Sequence, residues 1–440
     1  MFRSATDKTL DLLRKYESRN VTFVEPDGSW PIVWERASGV FVWDIEGRKY
    51  LDLTAGFGVA ATGHANSKVV EAGRMQMGQL LHAMGDVHPH ALKARLAREL
   101  SRLTFERWRR NSRGKRGPIA HGKVIFCNSG FEAVEAALKT ALLATDKRGV
   151  IAFRGGYHGL GYGALNATHR DHFRAPFQTQ LGKFGHFVEF PRAVTDLDSV
   201  ERSIRGLIRR HPIGAILVEP LQGRGGINIP PPQFLPLLRR LCDETGVLFI
   251  LDEVLTGFGR TGRWFACEHT RTVPDIICLG KALTGGFPLS ACVGKSDIMD
   301  TAWPASSGEA IHTSTFLGHP VGCAMALAQI QELRRRRLVG RSASLGRRLL
   351  EGLSGVKSTP KLEVSARGLG LMAGLELRHR EGSAATPQAL RIIKEMLRRG
   401  YILLPEGGSA NVVSFTPPLT ISADECDEAV SVLASVLRQL

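Results

Sequence analysis

Residues 247–262 read VLFILDEVLTGFGRTG, and residues 274–290, after a polar interval, read PDIICLGKALTGGFPLS. The first segment is an apolar, β-branched run that ends in the carboxylates of Asp252 and Glu253. That is the pattern of a strand buried on both faces, with polar groups at its carboxyl end. The second segment is a shorter apolar run that delivers Lys281 into a loop of small residues. A lysine at the end of a buried strand costs free energy unless its charge is paired or its amine is used, so this stretch predicts a ligand site where the strands end.

The segments around this stretch predict an α/β fold. Between residues 120 and 295, apolar runs of strand length alternate with helical patterns. Such alternation is typical of a mainly parallel sheet with helices on its faces. Residues 39–53 alternate apolar and polar side chains around a turn at Glu46 and Gly47, which predicts a β-hairpin. After about residue 325 the pattern changes to that of a smaller α+β unit.

The composition is that of a globular protein with a basic surface. Of the 440 residues, 43% are hydrophobic and 23% are charged, which leaves enough apolar side chains for a sizeable core. The formal net charge is +16, and basic residues cluster over residues 107–123, 202–210 and 334–337. These clusters are either a solvated arginine-rich surface or a contact for an acidic partner. No helix-turn-helix, zinc-finger or RNA-binding motif supports a nucleic acid, and we expect residues 107–121 to form an exposed loop without an assigned role.

The seven cysteines are scattered and form neither a disulfide framework nor a metal-binding box. We therefore expect free thiols, no bound metal and a reducing compartment. The first residues of the chain lack the apolar core of a signal peptide, and no apolar run reaches the ~18 residues that a membrane span needs. These features predict a cytoplasmic protein without membrane contact.

The other predicted strand ends also carry polar or aromatic groups. One strand turns through Ser129, Gly130 and Phe131 into a strong helix, which gathers free backbone N–H groups and the positive helix end at a point suited to a phosphate. Tyr157 lies between glycines at the next strand end, and Glu219 lies at the end of a later strand. Each feature alone is common, because many α/β turns look like the first and Tyr157 could simply pack on the core.

Pyridoxal phosphate is the cofactor that uses all of these groups. It needs a lysine for a Schiff base, an anion that keeps its ring nitrogen protonated, a cradle for its phosphate and a face for its ring. The sequence offers these, in chain order, as Ser129, Tyr157, Glu219, Asp252 and Lys281. With its nitrogen protonated, the ring is an electron sink for a carbanion at the substrate carbon, and the lysine amine moves the proton.

Several motifs carry a resemblance to a known family. They are CNSGFEA from residue 127, GGYHG from residue 155, VEPLQG from residue 218 and both segments of the central stretch. With them the sequence resembles the class III (ornithine/ω-amino acid type) aminotransferases of fold type I, over residues 39–435. The resemblance implies a large pyridoxal phosphate-binding domain over residues 61–325 with a mainly parallel seven-stranded sheet. It also implies a C-terminal small α+β domain over residues 326–440, to which an N-terminal segment, residues 1–60, contributes.

The same resemblance implies roles for individual residues. Lys281 would form the Schiff base, and Asp252 would pair with the pyridinium nitrogen. The cofactor ring would lie between Val254 and Tyr157. The family's active sites lie at a homodimer interface, so the partners implied are a second copy of the chain, an amino donor and a keto acceptor. Further contacts are implied for Ser129, Gly130 and Phe131 at the phosphate, Glu219 at the cofactor, Thr315 at the phosphate of the neighbouring subunit, and Phe57, Arg224 and Ser414 at the substrate.

Some positions depart from the family pattern. Many members carry threonine or alanine in place of Phe131 and glutamine in place of Leu255, so two polar contacts to the cofactor are missing. Members that use glutamate often carry a glutamate where this chain has Arg224 and an arginine where it has Ser414. The loss of both puts 2-oxoglutarate in doubt as the routine acceptor. We hypothesise that Arg224 binds a substrate carboxylate instead; the alternative is that it only points to solvent.

Three functions remain open at this point. The motifs favour an aminotransferase. An amino-acid or lactam racemase or epimerase is the second, because some relatives with the ending FTPPLTI, found at residues 415–421, and no arginine before it are of this kind. Racemisation needs only the removal and return of a proton. The third is a non-catalytic, basic binding protein on the same fold, against which the intact Lys281 and Asp252 argue.

Overall fold

The computed structural model describes residues 4–110 and 121–439. Residues 111–120, the centre of the basic stretch that we expected to be an exposed loop, lie outside the described residues. The beginning of that stretch is helical rather than a loop, because the helix Phe105–Arg110 is anchored by the buried side chains of Phe105 and Trp108.

The strands of the described residues are, in chain order, β1 (Trp34–Ser38), β2 (Phe41–Asp44), β3 (Lys49–Asp52), β4 (Gly122–Cys127), β5 (Gly149–Phe153), β6 (Gly185–Val188), β7 (Ile213–Val218), β8 (Leu248–Asp252), β9 (Ile276–Leu279), β10 (Ser290–Lys295), β11 (Leu362–Gly368), β12 (Ala373–His379), β13 (Tyr401–Ile402), β14 (Leu404–Glu406) and β15 (Val412–Phe415).

The helices are α1 (Ala5–Tyr16), α2 (Ala55–Gly58), α3 (Ser67–Gln79), α4 (Ala91–Leu103), α5 (Phe105–Arg110), α6 (Gly130–Thr145), α7 (Tyr162–Ala167), α8 (Asp171–Arg174), α9 (Leu197–Arg210), α10 (Phe234–Thr245), α11 (Ser296–Ala302), α12 (Pro320–Arg335), α13 (Leu338–Ser354), α14 (Thr386–Arg398) and α15 (Ala423–Arg438). Within residues 4–110 and 121–439, no helix combines the length and apolarity needed to cross a lipid bilayer.

The largest sheet has seven strands in the order β4-β10-β9-β8-β7-β5-β6. Strands β9, β8, β7, β5 and β6 pair in parallel, whereas β10 runs antiparallel to both β9 and β4. Every residue of β5, β7 and β9 is buried, as expected for parallel strands that are covered on both faces. The predicted mainly parallel seven-stranded sheet is therefore confirmed, with β10 reversed.

Alternate side chains of the central strands enter two separate parts of the core. Ile216 of β7 belongs to the cluster that contains Leu238 of α10, while the next residue, Leu217, belongs to the cluster that contains Ala137 of α6. All four side chains are fully buried. Burying one such aliphatic side chain stabilises the fold by about 2 kcal/mol, so both helical layers fix the sheet, and with it the position of the strand ends.

Two four-stranded sheets complete the fold, in the orders β1-β2-β3-β13 and β11-β12-β15-β14. Strands β2 and β3 form the hairpin predicted over residues 39–53, with Trp43 opposite Lys49, which confirms it. Strand β13 pairs in parallel with β3, so that Tyr401 lies opposite Leu51. The N-terminal and C-terminal parts of the chain thus share a sheet.

Candidate active site

All strands of the large sheet except β10 end at the same edge, and a cavity of about 400 Å³ opens beside the ends of five of them. Because β4, β5, β7, β8 and β9 run in one direction, the residues that follow them converge, as they do in other open α/β sheets. The cavity is lined by Gly130, Phe131, Tyr157, His158, Gly159, Leu160, Glu219, Arg224, Asp252, Val254, Leu255 and Lys281.

Lys281 follows β9 and begins a 3-10 turn that its neighbours anchor. The amide of Leu283 donates to the carbonyl of Gly280 over 2.9 Å, and the side chain of Gln329 donates to the carbonyl of Ala282 over 3.2 Å. Lys281 itself has a φ of 43°, a left-handed conformation that costs free energy for a residue other than glycine. The surrounding hydrogen bonds hold that conformation, and they fix where the side chain enters the cavity.

The surroundings of the Lys281 amine favour its neutral form. Burial lowers the pKa of the amine, and the positive charge of Arg224 also lowers it. Three carboxylates offset part of this decrease, those of Asp252, Glu219 and Glu406. A neutral amine is the form of lysine that acts as a nucleophile or a base, so the net decrease suits Lys281 to chemistry.

The two carboxylates at the end of β8 lie in different surroundings. Asp252 lines the cavity, where its Oδ2 lies 2.8 Å from Nδ1 of His158 and its Oδ1 accepts the amide proton of Val254 over 3.1 Å. Glu253 turns away and accepts the amide proton of Ala266 over 2.7 Å. Asp252 is therefore the carboxylate that brings negative charge to the cavity, and Glu253 is part of the scaffold.

His158 is a site residue that the sequence reasoning did not identify. Its side chain is almost fully buried, its amide donates to Oγ1 of Thr168 over 2.9 Å, and its ring contacts Asp252. With the proton on Nδ1, the ring donates to the carboxylate and fixes its orientation. The signal available in the sequence was its place between Tyr157 and Gly159, in a loop already marked as a strand end.

The turn between β4 and α6 has the features of a phosphate cradle. Oγ of Ser129 is buried and has no hydrogen-bond partner in the part of the chain that the structure describes. Gly130 begins α6, whose first amides have no acceptor inside the helix. A Cβ atom at Gly130 would lie 2.9 Å from Cγ1 of Val254, so the close contact requires glycine. The ring of Phe131 lies against Gly161, where a Cβ atom would be only 2.5 Å from its Cδ2. These features together favour an anion at the turn.

Glu219 ties two strand-end loops together. Its Oε1 accepts the amide proton of Tyr157, and its Oε2 accepts that of Gly223, each over 3.0 Å. Burial raises the pKa of Glu219 to about 7, and the nearby Asp252 raises it as well. The hydrogen bonds place Tyr157 at the cavity wall, where the guanidinium carbon of Arg224 lies 5.3 Å from the centre of its ring.

These residues fit pyridoxal phosphate. The unpartnered hydroxyl of Ser129 is the observation on which the fit rests, because a phosphate would supply its missing partner. Asp252 suits a protonated ring nitrogen, and Lys281 suits the carbonyl carbon of the cofactor. Tyr157 and Val254 line the same cavity and offer surfaces for the ring.

Four residues expected at the site lie outside the lining of this cavity, and one of them is Ser129, which directly precedes the lining residue Gly130. The side chain of Phe57 is 59% exposed. Ser414 is buried within β15, and its hydroxyl donates to the carbonyl of Leu404 over 3.0 Å, so its hydrogen bond is used inside the sheet. Thr315 is exposed on the loop that precedes α12.

Arg224 lies beside a carboxylate that the sequence reasoning also missed, that of Glu406 at the end of β14. Nε of Arg224 is 3.9 Å from Oε2 of Glu406. Leu255 lines the cavity as well, and a Cβ atom at Gly223 would meet its Cδ2 at 2.3 Å. The wall of the cavity is thus apolar at Leu255 and charged at Arg224.

Comparison with known sequences gives a consistent result. A family model described as aminotransferase class-III matches residues 23–437. The acetylornithine aminotransferase of Methanosarcina mazei is 36% identical, with 92% of each chain covered. The putrescine aminotransferase of Pectobacterium atrosepticum is 37% identical, over 95% of this chain and 85% of the relative. The 5-aminovalerate aminotransferase of Pseudomonas aeruginosa is 36% identical, over 93% and 94%.

Solved structures agree with the sequences. An amine transaminase from an uncultivated Pseudomonas species, in a form with bound pyridoxal phosphate, is 30% identical with a TM-score of 0.86, over 97% of this chain and 98% of that chain. The ornithine aminotransferase of Toxoplasma gondii is 26% identical with a TM-score of 0.84, over 99% and 96%. The racemase alternative and the non-catalytic alternative find no support in these comparisons.

Proposed function

The chain belongs to the class III aminotransferase family, and from that premise we propose that it transfers an amino group from an amine or amino-acid donor to a keto acid or aldehyde acceptor, with pyridoxal phosphate held by Lys281. The observation that carries this proposal is the cavity at the strand ends, which the Lys281 amine of lowered pKa shares with the Asp252 carboxylate. When bound, pyridoxal phosphate withdraws electrons from the carbon that bears the amino group.

The residues of the chain bind and orient the cofactor and the substrate, and they move protons. The neutral amine of Lys281 takes a proton from the substrate carbon, as a positioned general base. Asp252, held by His158 and by the amide of Val254, keeps the proton on the ring nitrogen. The cradle at Ser129 binds the phosphate and so fixes the position of the reacting carbon relative to Lys281.

We propose that the donors are molecules with a primary amine at the end of an unbranched chain. Support comes from the similar aminotransferases, which are named for acetylornithine, putrescine and 5-aminovalerate, and each of these compounds has such an amine. The apolar side chains of Leu255 and Phe131 line the cavity and suit methylene groups. Arg224 offers a cation for a carboxylate on the donor or on the acceptor.

Replacing Arg224 with alanine is expected to raise the KM for carboxylated substrates such as 5-aminovalerate by about 10-fold or more, because a charged hydrogen-bond partner is lost. The KM for putrescine, which has no carboxylate, should not rise. Steady-state kinetics of the wild type, Arg224→Ala and Arg224→Lys measure this, and the lysine variant should fall between the other two. An unchanged KM for 5-aminovalerate in Arg224→Ala would show that Arg224 does not bind the carboxylate.

Transfer of isotopic nitrogen tests the proposed function itself. The purified enzyme with pyridoxal phosphate is incubated with nitrogen-15-labelled donors and a panel of keto acids that includes pyruvate and 2-oxoglutarate. We expect the label to appear in a new amino acid at the rate at which the donor is consumed. If a chiral donor loses its optical activity while the label stays on it, the enzyme is a racemase and the proposal is wrong.

We propose that the enzyme is a homodimer with active sites at the interface, where Thr315 reaches the cofactor phosphate of the partner subunit. The side chain of Thr313 donates to Asp86, which joins the loop of Thr315 to residues 80–88. Asn128, next to the phosphate cradle, donates to Ser314 over 3.4 Å. The two joined loops expose large apolar side chains, which supports a contact with another chain; they are Leu81, Met84, Val87, Ile311 and Phe316.

We propose a division into a large domain over residues 61–325 and a small domain over residues 326–440, to which residues 1–60 contribute. The sheet order supports it, because the seven-stranded sheet uses strands β4 to β10 alone. The sheet β11-β12-β15-β14 comes from the C-terminal part, and β13 adds to the N-terminal strands.

We also propose a cytoplasmic location. The support is that all seven cysteines are free thiols buried in the fold, as suits a protein of a reducing compartment.

A further inference from the structure

Arg224, which lines the cavity, forms an unusual pair with Glu406, which lies behind the cavity lining. Nε of Arg224 and Oε2 of Glu406 are 3.9 Å apart, and each atom is buried without a hydrogen bond to any part of the chain that the structure describes. The two side chains are 34% and 13% exposed. Their proximity is built into the backbone, because the amide of Gly407 donates to the carbonyl of Arg224 over 3.0 Å. The pair is therefore held together while a donor and an acceptor remain unsatisfied, which costs free energy.

A second arginine, Arg170, also acts electrostatically on Glu406. Burial lowers the pKa of Arg170, Arg224 lowers it further, and Glu406 raises it. The guanidinium carbon of Arg170 lies 5.3 Å from the centre of the Phe173 ring, which in turn meets the Tyr157 ring edge to face. Both Arg224 and Arg170 therefore act electrostatically on Glu406, and Arg224 is the one paired with it.

Glu406, Arg224 and the Lys281 amine influence one another electrostatically. Burial raises the pKa of Glu406, while Arg224, Lys281 and Arg170 lower it. Lys281 in turn feels both members of the pair, because Glu406 raises the pKa of its amine and Arg224 lowers it. Lys281 and Arg224 line the same cavity, and Glu406 lies beside Arg224, so a donor in this cavity with its amine at Lys281 shares the cavity with the guanidinium group of the pair.

We propose that Glu406 sets the selectivity of the cavity between amino donors whose far end is a carboxylate and donors whose far end is an ammonium group. A carboxylate competes with Glu406 for Arg224 and must displace it. An ammonium group is attracted by Glu406 and repelled by Arg224. The same pair thus admits both kinds of donor, and the charge on Glu406 moves the preference toward the cationic kind. This inference rests on the proposed function.

Two donors with the same carbon chain test the proposal. 5-Aminovalerate and 1,5-diaminopentane present the same aminomethyl group to Lys281 and differ in the charge of the far end. In the holoenzyme with Glu406→Gln, kcat/KM for 5-aminovalerate should rise about 10-fold, because its carboxylate no longer competes with Glu406 for Arg224. The kcat/KM for 1,5-diaminopentane should fall about 10-fold, because the attraction between its far ammonium group and Glu406 is removed. A merely structural role would change both values in the same direction, so an unchanged ratio of the two overturns the proposal.

Two control variants separate the effect of the charge on Glu406 from the effect of its side-chain shape and from the effect of the net charge of the protein. Glu406→Asp keeps the charge and should keep the ratio near that of the wild type; a ratio shifted as far as in Glu406→Gln contradicts the proposal. Asp300→Asn removes a negative charge from an exposed pair with Lys123, whose side chains are 58% and 43% exposed, and should leave the ratio unchanged.

Binding of valerate, which has the carboxylate but no amine, distinguishes this inference from the proposed function. Calorimetry on the holoenzyme should give a dissociation constant about 10-fold lower for Glu406→Gln than for the wild type, whether or not the enzyme turns over. Tighter valerate binding without amino transfer would sustain the role of Glu406 and refute the proposed function. Amino transfer with unchanged valerate binding and an unchanged ratio of the two kcat/KM values would sustain the proposed function and overturn the role of Glu406.

Discussion

Replacing Lys281 with alanine is expected to lower turnover about 1,000-fold or more, because the variant loses both the amine that holds the cofactor and the base that moves the proton. The substitution leaves the fold nearly intact, since the amine makes no hydrogen bond that the sheet depends on and hydrogen bonds of neighbouring residues hold the turn. Steady-state turnover, cofactor absorbance and the thermal midpoint of unfolding measure the three effects.

Lys183 offers a matched control for this variant. It is an exposed lysine with a φ of 51°, also in the left-handed region, so Lys183→Ala makes the same backbone change away from the cavity. Lys183→Ala should keep the activity of the wild type. If Lys281→Ala retained turnover within about 10-fold of the wild type, a base at this position would not be needed and the assignment of Lys281 would fail.

Replacing Asp252 with asparagine is expected to lower kcat about 100-fold to 1,000-fold, the usual cost of removing one positioned electrostatic partner from an active site. Asparagine keeps an oxygen that can accept the amide proton of Val254, but it carries no charge to hold a proton on the ring nitrogen. The thermal midpoint of unfolding should change little, because the charge serves the cofactor and not the sheet.

Asp275, at the opposite end of the same sheet, should behave in the contrary way. It is 4% exposed and pairs with Arg239 over 2.9 Å and with Lys295 over 2.6 Å. Asp275→Asn breaks a buried ion pair and should lower the free energy of unfolding by about 3 kcal/mol while leaving kcat of the folded enzyme unchanged. Equal losses of kcat in the Asp252 and Asp275 variants would show that the loss in Asp252→Asn reflects folding.

The central strands could be predicted because their sequences carry their own burial pattern. Strands β7, β8 and β9 are apolar runs, and the hairpin of β2 and β3 consists of two short segments rich in apolar residues on either side of a turn at Glu46 and Gly47. Strand β10, with small residues and Gly294, was not predicted, since its position depends on pairing with β4 and β9. Strands β13 and β14 are two and three residues long, which is too short for a periodic signal.

The residues of the candidate site likewise divide into those with a local sequence signal and those that only the tertiary structure brings to the site. Lys281, Asp252 and Glu219 could be found because each lies at or just after the end of a recognisable buried strand, where a polar residue stands out from the apolar run. His158 was missed although it lies in a marked loop, because a histidine in sequence shows no partner until Asp252 is placed 2.8 Å away. Glu406 carries no local signal, since only the fold brings it to Arg224.

Reductive trapping tests the central claim, that Lys281 holds the cofactor, most directly. The purified holoenzyme is treated with sodium borohydride, which fixes a carbonyl cofactor to the amine that holds it, and the digested protein is examined by mass spectrometry. We predict that the cofactor mass appears on the peptide that contains Lys281 and is absent from that peptide when reduction is omitted. Attachment to another lysine, or cofactor bound with no attachment to any lysine, would contradict the assignment of Lys281.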